Sequence, residues 1–392
     1  MTKDEIVLGL PGYQITTIEI EDGKVRIVAR YEGARACAHC GGTRLRSKGI
    51  YQRRLRHQDL GLRHSLLVVE AHKWHCLECG RQSRQRLPGI LPWQRASEAF
   101  RQAIFQQHLD GINRSLLGRR EGIGAATVER HFRHGLTRQF SEKHAPVCPT
   151  ILGIDEHFFT RKKGFATTLC DLRNHTIYDV VLGRSEASLE AYLQGLQGRD
   201  AVKVVCMDLS PTYRSVVKKY FPKARIVADR FHVIRLTNHH FLACWKEIDP
   251  VASRNRGLVS LMRRHRRHLQ PQQKLKLQAY LTAQPALEPI YRFKQHLCYL
   301  LLKKHRTRKQ CAALIPHLLR AIDQLRNAVF PYLVTLGETL HSWKDEIGCM
   351  WRFTRNNGIT EGFHNKMETI SRVAYGFRNF ENYRQRVKVL CS

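Results

Sequence analysis

The fold is decided by two apolar stretches, Ile151-Leu152-Gly153-Ile154-Asp155 and Val202-Lys203-Val204-Val205-Cys206-Met207-Asp208. Both are short and rich in aliphatic residues, which predicts buried β-strands. Both end on a carboxylate, Asp155 in the first and Asp208 in the second. The order of the strands along the chain suggests that these two are neighbours in one sheet. We therefore expect the two carboxylates to lie within reach of each other.

The segments around these stretches alternate between strand and helix patterns. They predict strands at 165–171 and 176–183, a helix at 185–197, a strand at 202–207, a helix at 211–220 and a strand at 224–228. Asp229 follows the last of these strands. Three strands followed by a helix, a strand, a helix and a strand are the order of an α/β RNase H-like domain.

Two carboxylates held close together repel each other unless positive charge lies between them. Mg²⁺ fits such a position, because it prefers carboxylate and water oxygens and keeps coordination positions for phosphate. A third acid would complete a site for two metal ions, about 4 Å apart, which activate an attacking hydroxyl and stabilise a leaving oxygen. Such a site needs no covalent protein nucleophile.

The third acid is expected on a helix late in the chain. Asn356-Asn357-Gly358 is a turn signal, and a helix that begins at Ile359 or Thr360 would carry Glu361. Asn365 and Glu368 share the face of Glu361, so Glu368 is a rival for the third ligand. The residues expected to face the core are Phe363, Met367 and Ile370.

The charge of the chain indicates a polyanionic partner. Its 392 residues include 66 Lys and Arg against 33 Asp and Glu, which gives a formal net charge of +33 and a pI near 10.2. Hydrophobic residues make up 43%, enough for folded cores. Nucleic acid is favoured over a membrane, since no run of about 18 apolar residues is present. A ribosome-associated protein or a merely soluble basic protein is the alternative.

The beginning of the chain lacks the apolar run of a signal peptide, so we expect a cytoplasmic protein with reduced thiols. Two CxxC pairs, Cys37/Cys40 and Cys76/Cys79, are each followed by glycine. Four thiolates satisfy tetrahedral Zn²⁺, so the pairs predict a structural zinc site in a zinc ribbon or related β-rich finger. The run 66–70 is the clearest strand between them. A histidine could replace one cysteine ligand, the candidates being His39, His72 and His75.

Residues 97–139 have a helical pattern that is broken at Gly122-Ile123-Gly124. A helix, a short helix near 113–118 and a third helix from about Ala125 form the outline of a helix-turn-helix. In the major groove its last helix would contact bases and phosphates. The candidate DNA-binding residues on that helix are Thr127, Arg130, Arg133 and Arg138. An ordinary three-helix bundle with a solvated basic face is the alternative. Residues 145–150 are expected to form a linker.

From 231 to about 342 the chain is helical and very basic. Its densest charge runs contain Arg263, Arg264, Arg266 and Arg267, and later the stretch Lys303-Lys304-His305-Arg306. These runs favour contact with phosphates, although solvated helix faces would have the same composition.

Several long stretches resemble successive motifs of the ISL-three family of bacterial insertion-sequence transposases. They are Gly153-Ile154-Asp155-Glu156, Val205-Cys206-Met207-Asp208-Leu209-Ser210-Pro211-Thr212-Tyr213, Val227-Ala228-Asp229-Arg230-Phe231-His232-Val233, Asn357-Gly358-Ile359-Thr360-Glu361-Gly362 and Tyr375-Gly376-Phe377-Arg378-Asn379-Phe380. The motifs occur in the family's order and span nearly the whole chain. The CxxC pairs and the helix-turn-helix outline also fit the family's layout.

This resemblance implies an RNase H-like core with a triad of Asp155, Asp208 and Glu361 that binds Mg²⁺ or Mn²⁺. It implies that Asp229 and His232 support the active site, with His232 contacting the scissile phosphate or positioning a water. A structural hydrogen bond is the alternative role of His232. The implied partners are terminal inverted repeats and target DNA, bound by a homodimer or a larger synaptic complex, with no membrane.

The expected domains are a zinc-binding module at 1–92, a helix-turn-helix domain at 93–145, the core in two parts at 150–235 and 346–392, and an all-α insertion at 236–345 that interrupts it. Two other functions remain open. A structure-selective nuclease on the same core would cut DNA without joining it. A zinc-containing DNA-binding regulator would do neither.

Overall fold

The computed structural model describes residues 2–143, 147–353 and 358–391, without the side chains of residues 143, 358, 359 and 361. The chain divides into two compact units, Met1–Glu142 and Lys143–Ser392. The predicted turn at Asn356-Asn357 and the first residues of the predicted linker at 145–150 lie outside the described residues. The predicted zinc module and the helical segment after it fall within the first unit.

The first unit begins with a β-rich module. Its elements are α1 (Lys3–Leu8), β1 (Tyr13–Glu21), β2 (Lys24–Tyr31), β3 (Leu45–Leu60), β4 (Arg63–Cys76) and β5 (Gln82–Arg84). The strands form one sheet in the order β1-β2-β4-β3, with β5 paired to β4. β3 and β4 form a long antiparallel hairpin, and β2 lies parallel to β4. The strand predicted at 66–70 lies inside β4, so that prediction is confirmed.

One face of this sheet is apolar because buried residues alternate along its strands. In β2, Val25, Ile27 and Ala29 are buried while the residues between them are more exposed. Leu67 and Val69 of β4 contribute to the same apolar core. This packing fixes the hairpin whose far end carries the second CxxC pair.

Three helices complete the first unit: α2 (Glu98–Leu109), α3 (Arg114–Arg120) and α4 (Ala125–Lys143). Ser97 caps α2 by accepting a hydrogen bond from the backbone N–H of Phe100, and Asn113 caps α3 in the same way. The turn between α3 and α4 is tight, since a Cβ atom at Gly118 would lie 2.8 Å from the carbonyl oxygen of Ile123. The helices therefore occupy the positions predicted for them.

The second unit is built on a mixed sheet. Its strands are β6 (Ile151–Thr160), β7 (Gly164–Asp171), β8 (Thr176–Leu182), β9 (Val204–Met207) and β10 (Arg225–Ala228). Their order is β10-β9-β6-β7-β8. The strands β6, β7 and β8 pair antiparallel in sequence order. On the other side of β6, β9 and then β10 are added in parallel.

The prediction that the first of these strands ends at Asp155 is wrong. The strand continues to Thr160, because it forms a hairpin with β7 in which Asp155 pairs with Thr168 and Thr160 with Gly164. Only its parallel pairing with β9 stops near Asp155, at the partners Ile154 and Met207. Asp155 thus lies inside a strand, at the point where its shorter neighbour ends.

Helices make up most of the rest of the second unit. They are α5 (Glu186–Gln194), α6 (Pro211–Tyr220), α7 (Arg230–Ile248), α8 (Arg256–Arg263), α9 (Pro271–Ala283), α10 (Leu287–Leu301), α11 (Arg308–Arg326), α12 (Pro331–Ser342), α13 (Lys344–Cys349), α14 (Gly358–Val373) and α15 (Phe380–Leu390). Short 3-10 turns lie at Arg199–Ala201, Ala252–Arg254 and Arg266–His268. In the described part of the chain, no helix has both the length and the apolar character needed to cross a membrane.

The predicted boundary between 235 and 236 falls inside a helix. Helix α7 runs through it without a break, because one apolar core joins the sheet to the helical segment. Leu152 and Val205 of the sheet share this core with Cys244 of α7, Leu297 of α10 and Leu336 of α12. The helical segment is therefore packed onto the sheet rather than separated from it.

The last two helices pack on residues of the sheet through a second core. Met367 of α14 and Val387 of α15 lie among buried side chains that include Cys170 and Val180 of the sheet. Helix α14 also contacts β6, the strand that carries Asp155. Residues at the end of the chain thus reach the strand that begins the second unit's sheet.

Candidate active site and zinc centre

Asp155 and Asp208 are brought together by the parallel pairing of β6 and β9. Ile154 and Met207 are partners in that pairing; Asp155 is the next residue of β6, and Asp208 is the first residue after the end of β9. Ligand atoms of Asp155, Asp208 and His232 all lie within 4.8 Å of one another. The predicted closeness of the two carboxylates is confirmed by this geometry.

Asp155 is buried, with 6% of its surface exposed. Its Oδ1 accepts a hydrogen bond of 2.8 Å from the backbone N–H of Glu156. Burial, followed by the nearby charge of Asp208, raises the pKa of Asp155 to about 7. This rise in the pKa of Asp155 persists although the nearby His232 opposes it, so a further cation would favour the ionised carboxylate.

His232 is placed beside the two aspartates by the first turn of α7. Asp229 caps this helix by accepting from the backbone N–H of Phe231. The Nδ1 atom of His232 lies 2.7 Å from Oδ2 of Asp229 and 2.7 Å from Oδ1 of Asp208. Burial alone would lower the pKa of His232, but the contacts with Asp208 and Asp229 raise it to about 10. The ring is positively charged at neutral pH.

One oxygen of Asp208 is left without a hydrogen bond. A ring nitrogen carries at most one hydrogen, and the Nδ1 hydrogen of His232 bonds to Asp229. Oδ1 of Asp208 is buried and has no hydrogen-bond partner among the described residues, although Nδ1 is close to it. Two carboxylates with a buried, unsatisfied oxygen between them are a donor set that fits a hard divalent cation.

The third predicted acid, Glu361, belongs to helix α14, but its side chain lies outside the described residues. Neighbouring residues show where this helix lies. The hydroxyl of Thr360 donates to the sulfur of Cys170 at 3.6 Å. Nδ1 of His364 is 3.9 Å from Oδ2 of Asp155. The first turns of α14 are therefore packed beside Asp155.

Glu368, the rival for the third ligand, is further along the same helix. Its side chain is 60% exposed and binds Arg372 at 2.7 Å. The partner is on the next helical turn, so the carboxylate of Glu368 forms a surface ion pair. This contact does not bring Glu368 to Asp155.

Two histidines near Asp155 were not predicted from the sequence. Nε2 of His364 lies 3.3 Å from the hydroxyl of Thr168, and Nδ1 of His157 is 2.9 Å from the same hydroxyl. The other ring nitrogen of His157, Nε2, lies 2.9 Å from the hydroxyl oxygen of Tyr383. Burial lowers the pKa of His157 to about 3 and that of His364 to about 4, so both rings are neutral.

The two CxxC pairs come together as predicted. The sulfurs of Cys37, Cys40, Cys76 and Cys79 lie within 4.8 Å of one another. Backbone N–H groups point at the first pair, since His39 donates to the sulfur of Cys37 at 3.4 Å. Hydrogen bonds from the backbone of Cys40 and then of His39 lower the pKa of Cys37 to about 6. Four close sulfurs with such donors fit a tetrahedral zinc ion.

The alternative zinc ligands are not part of this cluster. Among the described residues, the group of possible ligand atoms contains the four cysteines and none of His39, His72 or His75. The ring of His72 is instead stacked on Trp74, with ring centroids 4.6 Å apart. The geometry therefore supports four cysteine ligands.

The predicted DNA-binding residues of the first unit lie along α4. Arg130, Arg133 and Arg138 are exposed, and Thr127 is partly exposed. The opposite face of α4 is buried through Val128, Phe132 and Leu136. Arg133 pairs with Glu129 at 2.7 Å. The arginines thus form a basic outer face of α4. Both interpretations require such a face, the DNA-binding helix and the ordinary three-helix bundle with a solvated surface.

The densest basic run of the second unit begins at the last residue of α8. Its arginines, Arg263, Arg264, Arg266 and Arg267, are all exposed. Beneath them the buried amine of Lys294 donates to the backbone carbonyls of Met262 and Arg263 at 2.7 Å each. Burial lowers the pKa of Lys294 to about 8. The run is therefore held on the surface by an internal anchor.

Comparisons with known proteins agree with this arrangement. A family model described as a transposase, of the ISL-three group with a DDE core, matches residues 152–387, which is more than half of the chain. A model described as the zinc-finger of transposase IS204/IS1001/IS1096/IS1165 matches residues 34–79. The chain is also similar to the transposase for insertion sequence element IS1001 of Bordetella parapertussis, with 24% identity over 394 residues, 96% of this chain and 94% of that protein.

Proposed function

This chain belongs to the ISL-three family of DDE transposases, and we propose that it binds the terminal inverted repeats of an insertion sequence, cuts DNA there and joins the ends to target DNA. The observation that carries the proposal is the placement of Asp155 and Asp208 at one point of the sheet, with His232 beside them. The net charge of +33 supports DNA as the partner.

We propose that the sheet of the second unit is the RNase H-like core of this enzyme. The strand order supports it: three antiparallel strands in sequence order, then β9 and β10 added in parallel on the far side of β6. In such a sheet the end of β9 lies beside the middle of β6, and the end of β10 lies beside the end of β9. Asp155, Asp208 and Asp229 share that region.

Asp155, Asp208 and Glu361 would hold the divalent ions, Mg²⁺ or Mn²⁺. These ions supply Lewis-acid activation of the attacking oxygen and charge stabilisation of the leaving oxygen. The role of the two aspartates is to offer carboxylate oxygens to the ions, which the burial and raised pKa of Asp155 and the unbonded, buried Oδ1 of Asp208 support. Glu361 is assigned by its family motif and by the position of α14.

His232 is proposed to bind the scissile phosphate. Its Nδ1 is hydrogen-bonded to Asp229 and lies 2.7 Å from Oδ1 of Asp208, and the bond to Asp229 fixes the orientation of the ring. The ring is charged, and a quarter of the side chain is exposed. Its remaining N–H, at Nε2, is the group that would donate to a phosphate oxygen. Asp229 acts through His232 as a positioning residue.

The first unit is proposed to read the terminal repeats. Helices α3 and α4 joined by a tight turn support a helix-turn-helix, with α4 in the major groove. Thr127 and Arg130 would contact bases, while Arg133 and Arg138 would contact phosphates. The zinc module, held by Cys37, Cys40, Cys76 and Cys79, would fix the long hairpin that precedes these helices.

The arginines after α8 are proposed to add affinity that does not depend on sequence. Arg263, Arg264, Arg266 and Arg267 are exposed and close together in the chain, as phosphate contacts require. Their contribution should fall steeply with salt. Because two DNA ends must be processed together, we propose a dimer or a larger assembly on DNA.

A strand-transfer assay tests the proposed function. The full chain is incubated with a labelled terminal-repeat duplex, a supercoiled target plasmid and Mg²⁺ or Mn²⁺. We expect labelled plasmid, which requires both cutting and joining. Cutting without joining would favour a structure-selective nuclease. Binding with neither cutting nor joining would favour a regulator and would refute the proposal.

A further inference from the structure

A groove of about 900 Å³ runs along one side of helix α7. Its walls come from α7, from α8 and from the first turn of α12. The residues that matter here are Phe231, Arg235, His239, Lys246, Arg263 and Tyr332. On α7 these residues follow helical spacing, so they lie on one face of the helix. None of them is a proposed metal ligand, and the only one already given a role is Arg263, as a phosphate contact.

The groove begins at the candidate active site. Phe231 forms its near end, and the ring of Phe231 contacts the ring of His232 edge to face, with centroids 5.4 Å apart. His232 in turn contacts Asp208 and Asp229. A strand whose scissile phosphate lies at the two aspartates could therefore continue into the groove without leaving the surface of α7.

The groove carries positive charge. Arg235, Lys246 and Arg263 are exposed cations, and His239 adds an imidazole. The lining residues that the structure describes include no Asp or Glu. The far wall is fixed, because the amine of Lys294 holds the backbone carbonyl of Arg263 at 2.7 Å. Such a lining attracts a chain of phosphates.

Two aromatic rings interrupt the cations. Phe231 is 43% exposed and Tyr332 is 45% exposed, although both are large apolar side chains. Exposed rings between cations are the pattern with which proteins hold single-stranded nucleic acid, since an unpaired base stacks on a ring while the cations follow the backbone. A duplex keeps its bases stacked on each other and cannot use these rings.

We infer that this groove binds an unpaired DNA strand next to the scissile phosphate. The distance from Phe231 to Lys246 along α7 is about 22 Å, which holds at most about six nucleotides at the rise of about 3.4 Å per nucleotide of stacked DNA. The inference rests on the proposed function, because it places the DNA end at Asp155 and Asp208. It adds that the enzyme prefers an end whose strands are separated.

The test compares two DNA substrates with the full chain. One is a blunt terminal-repeat duplex, and the other carries six unpaired nucleotides beyond the cleavage position. Affinity is measured by fluorescence anisotropy without added divalent cation, so that no cutting occurs, over a range of salt. The variants are Arg235→Ala with Lys246→Ala, and Tyr332→Ala. The matched controls are Lys274→Ala with Lys276→Ala, exposed cations of α9 outside the groove, and Tyr332→Phe, which keeps the ring.

We expect the wild type to bind the extended duplex about tenfold more tightly than the blunt one, the order of one stacked base. Each groove variant should lose most of that preference, and its affinity for the blunt duplex should change by less than about twofold. Removing two cations should also reduce the salt slope for the extended duplex by about 1.4. The lysine control and Tyr332→Phe should keep the wild-type preference.

The inference is overturned if the groove variants keep the preference, or if they lose affinity for both substrates equally. It is also overturned if they change only the oligomeric state of the DNA-free protein, since the groove would then be an interface between copies. The strand-transfer assay reports separately on the proposed function. A wild type that fails to join DNA but prefers the extended duplex through the groove would refute the proposed function alone.

Discussion

Asp155 and Asp208 follow directly after Ile154 and Met207, which are partners in the parallel pairing of two strands. The pairing of the two strands sets the distance between the backbones that carry the two carboxylates. Asp155 lies inside β6, and Asp208 is the first residue after the end of β9. Asp155 is hard to ionise in this position, and Asp208 has an oxygen without a hydrogen bond. The arrangement is unfavourable unless a cation completes it.

Asp208→Asn should abolish both cutting and joining. The amide keeps the shape of the side chain but removes the negative charge that holds a cation, and we expect a loss of about 10³-fold or more in the rate of strand transfer. Binding to the terminal repeat should stay within about twofold of the wild type, since the site is not part of the DNA-reading unit. Joining at the wild-type rate by this variant would remove Asp208 from the mechanism. Asp171→Asn is the control, because that aspartate only closes the turn after β7.

Asp229→Asn should have a smaller effect. Asp229 does not reach the phosphate in our proposal; it orients His232 through the contact at Nδ1. Loss of such a supporting contact costs about 10- to 100-fold in activity in comparable sites. His232→Ala should be at least as severe, and the double variant should be no worse than His232→Ala alone. If the two losses multiply, Asp229 acts independently of His232.

The sequence predicted the pair of aspartates but not their surroundings. Aliphatic runs identify the two buried strands, and the carboxylate at the end of each run identifies the candidate site. The order of the elements along the chain then predicts that the two strands are neighbours. His157 and His364 gave no such signal, since a single histidine in an amphipathic segment is usually structural. His157 lies two residues after Asp155 and therefore on the same face of β6. Only the packing of α14 on β6 brings His364 to the hydroxyl of Thr168 that His157 also contacts.

Glu361→Gln should abolish strand transfer, while Glu368→Gln should leave it within about twofold of the wild type. Glu368 is exposed and pairs with Arg372 on the helix surface, where such a pair is worth about 0.5 kcal/mol or less. Both variants remove one carboxylate from the same helix, so each is the matched control of the other. The opposite result, an active Glu361→Gln and an inactive Glu368→Gln, would assign the third ligand to Glu368.

Cys76→Ser should release zinc and unfold the N-terminal module. Three remaining thiolates cannot complete the tetrahedral site that holds the end of β4, and metal binding in such modules is coupled to folding. Elemental analysis should fall from one zinc per chain to near zero, and binding to the terminal repeat should be lost. Cys311→Ser in the second unit is the control and should keep both. Full zinc content in Cys76→Ser would show that another residue completes the site.

The helical segment shows why helices are easier to predict from a sequence than the boundaries between domains. Its composition indicates helices throughout, and helices are found. The predicted boundary at 235/236 lies inside α7, which begins after its cap, Asp229, beside the candidate active site and then continues into the segment. Because one continuous helix carries residues of the candidate site and residues of the apolar core, the sequence contains no turn or loop that would mark a boundary there.

Asp179→Asn should destabilise the second unit, because Asp179 is the buried anchor between β8 and α15. Its carboxylate, 2% exposed, contacts Arg384 at 2.6 Å and Lys388 at 3.3 Å. Removing one partner of a buried ion pair leaves charge without compensation, at a cost of about 3–5 kcal/mol. Urea unfolding of the full chain, followed by tryptophan fluorescence, measures the loss. Glu368→Gln, which breaks only a surface pair, should change stability by less than about 0.5 kcal/mol.

The pH dependence of this difference identifies the charge of Asp179 as its cause. Burial would raise the pKa of Asp179, but the hydrogen bond from Arg384 and the charges of Lys388 and Arg384 lower it below the ordinary value of 3.8. A carboxyl with a lowered pKa contributes stability above its unfolded value and loses it as the pH falls through the folded one. The difference between wild type and Asp179→Asn should therefore be constant from about pH 8 to pH 5 and shrink below about pH 4. A difference that stays constant to pH 3 would mean that the shape of the side chain, rather than its charge, holds α15 in place.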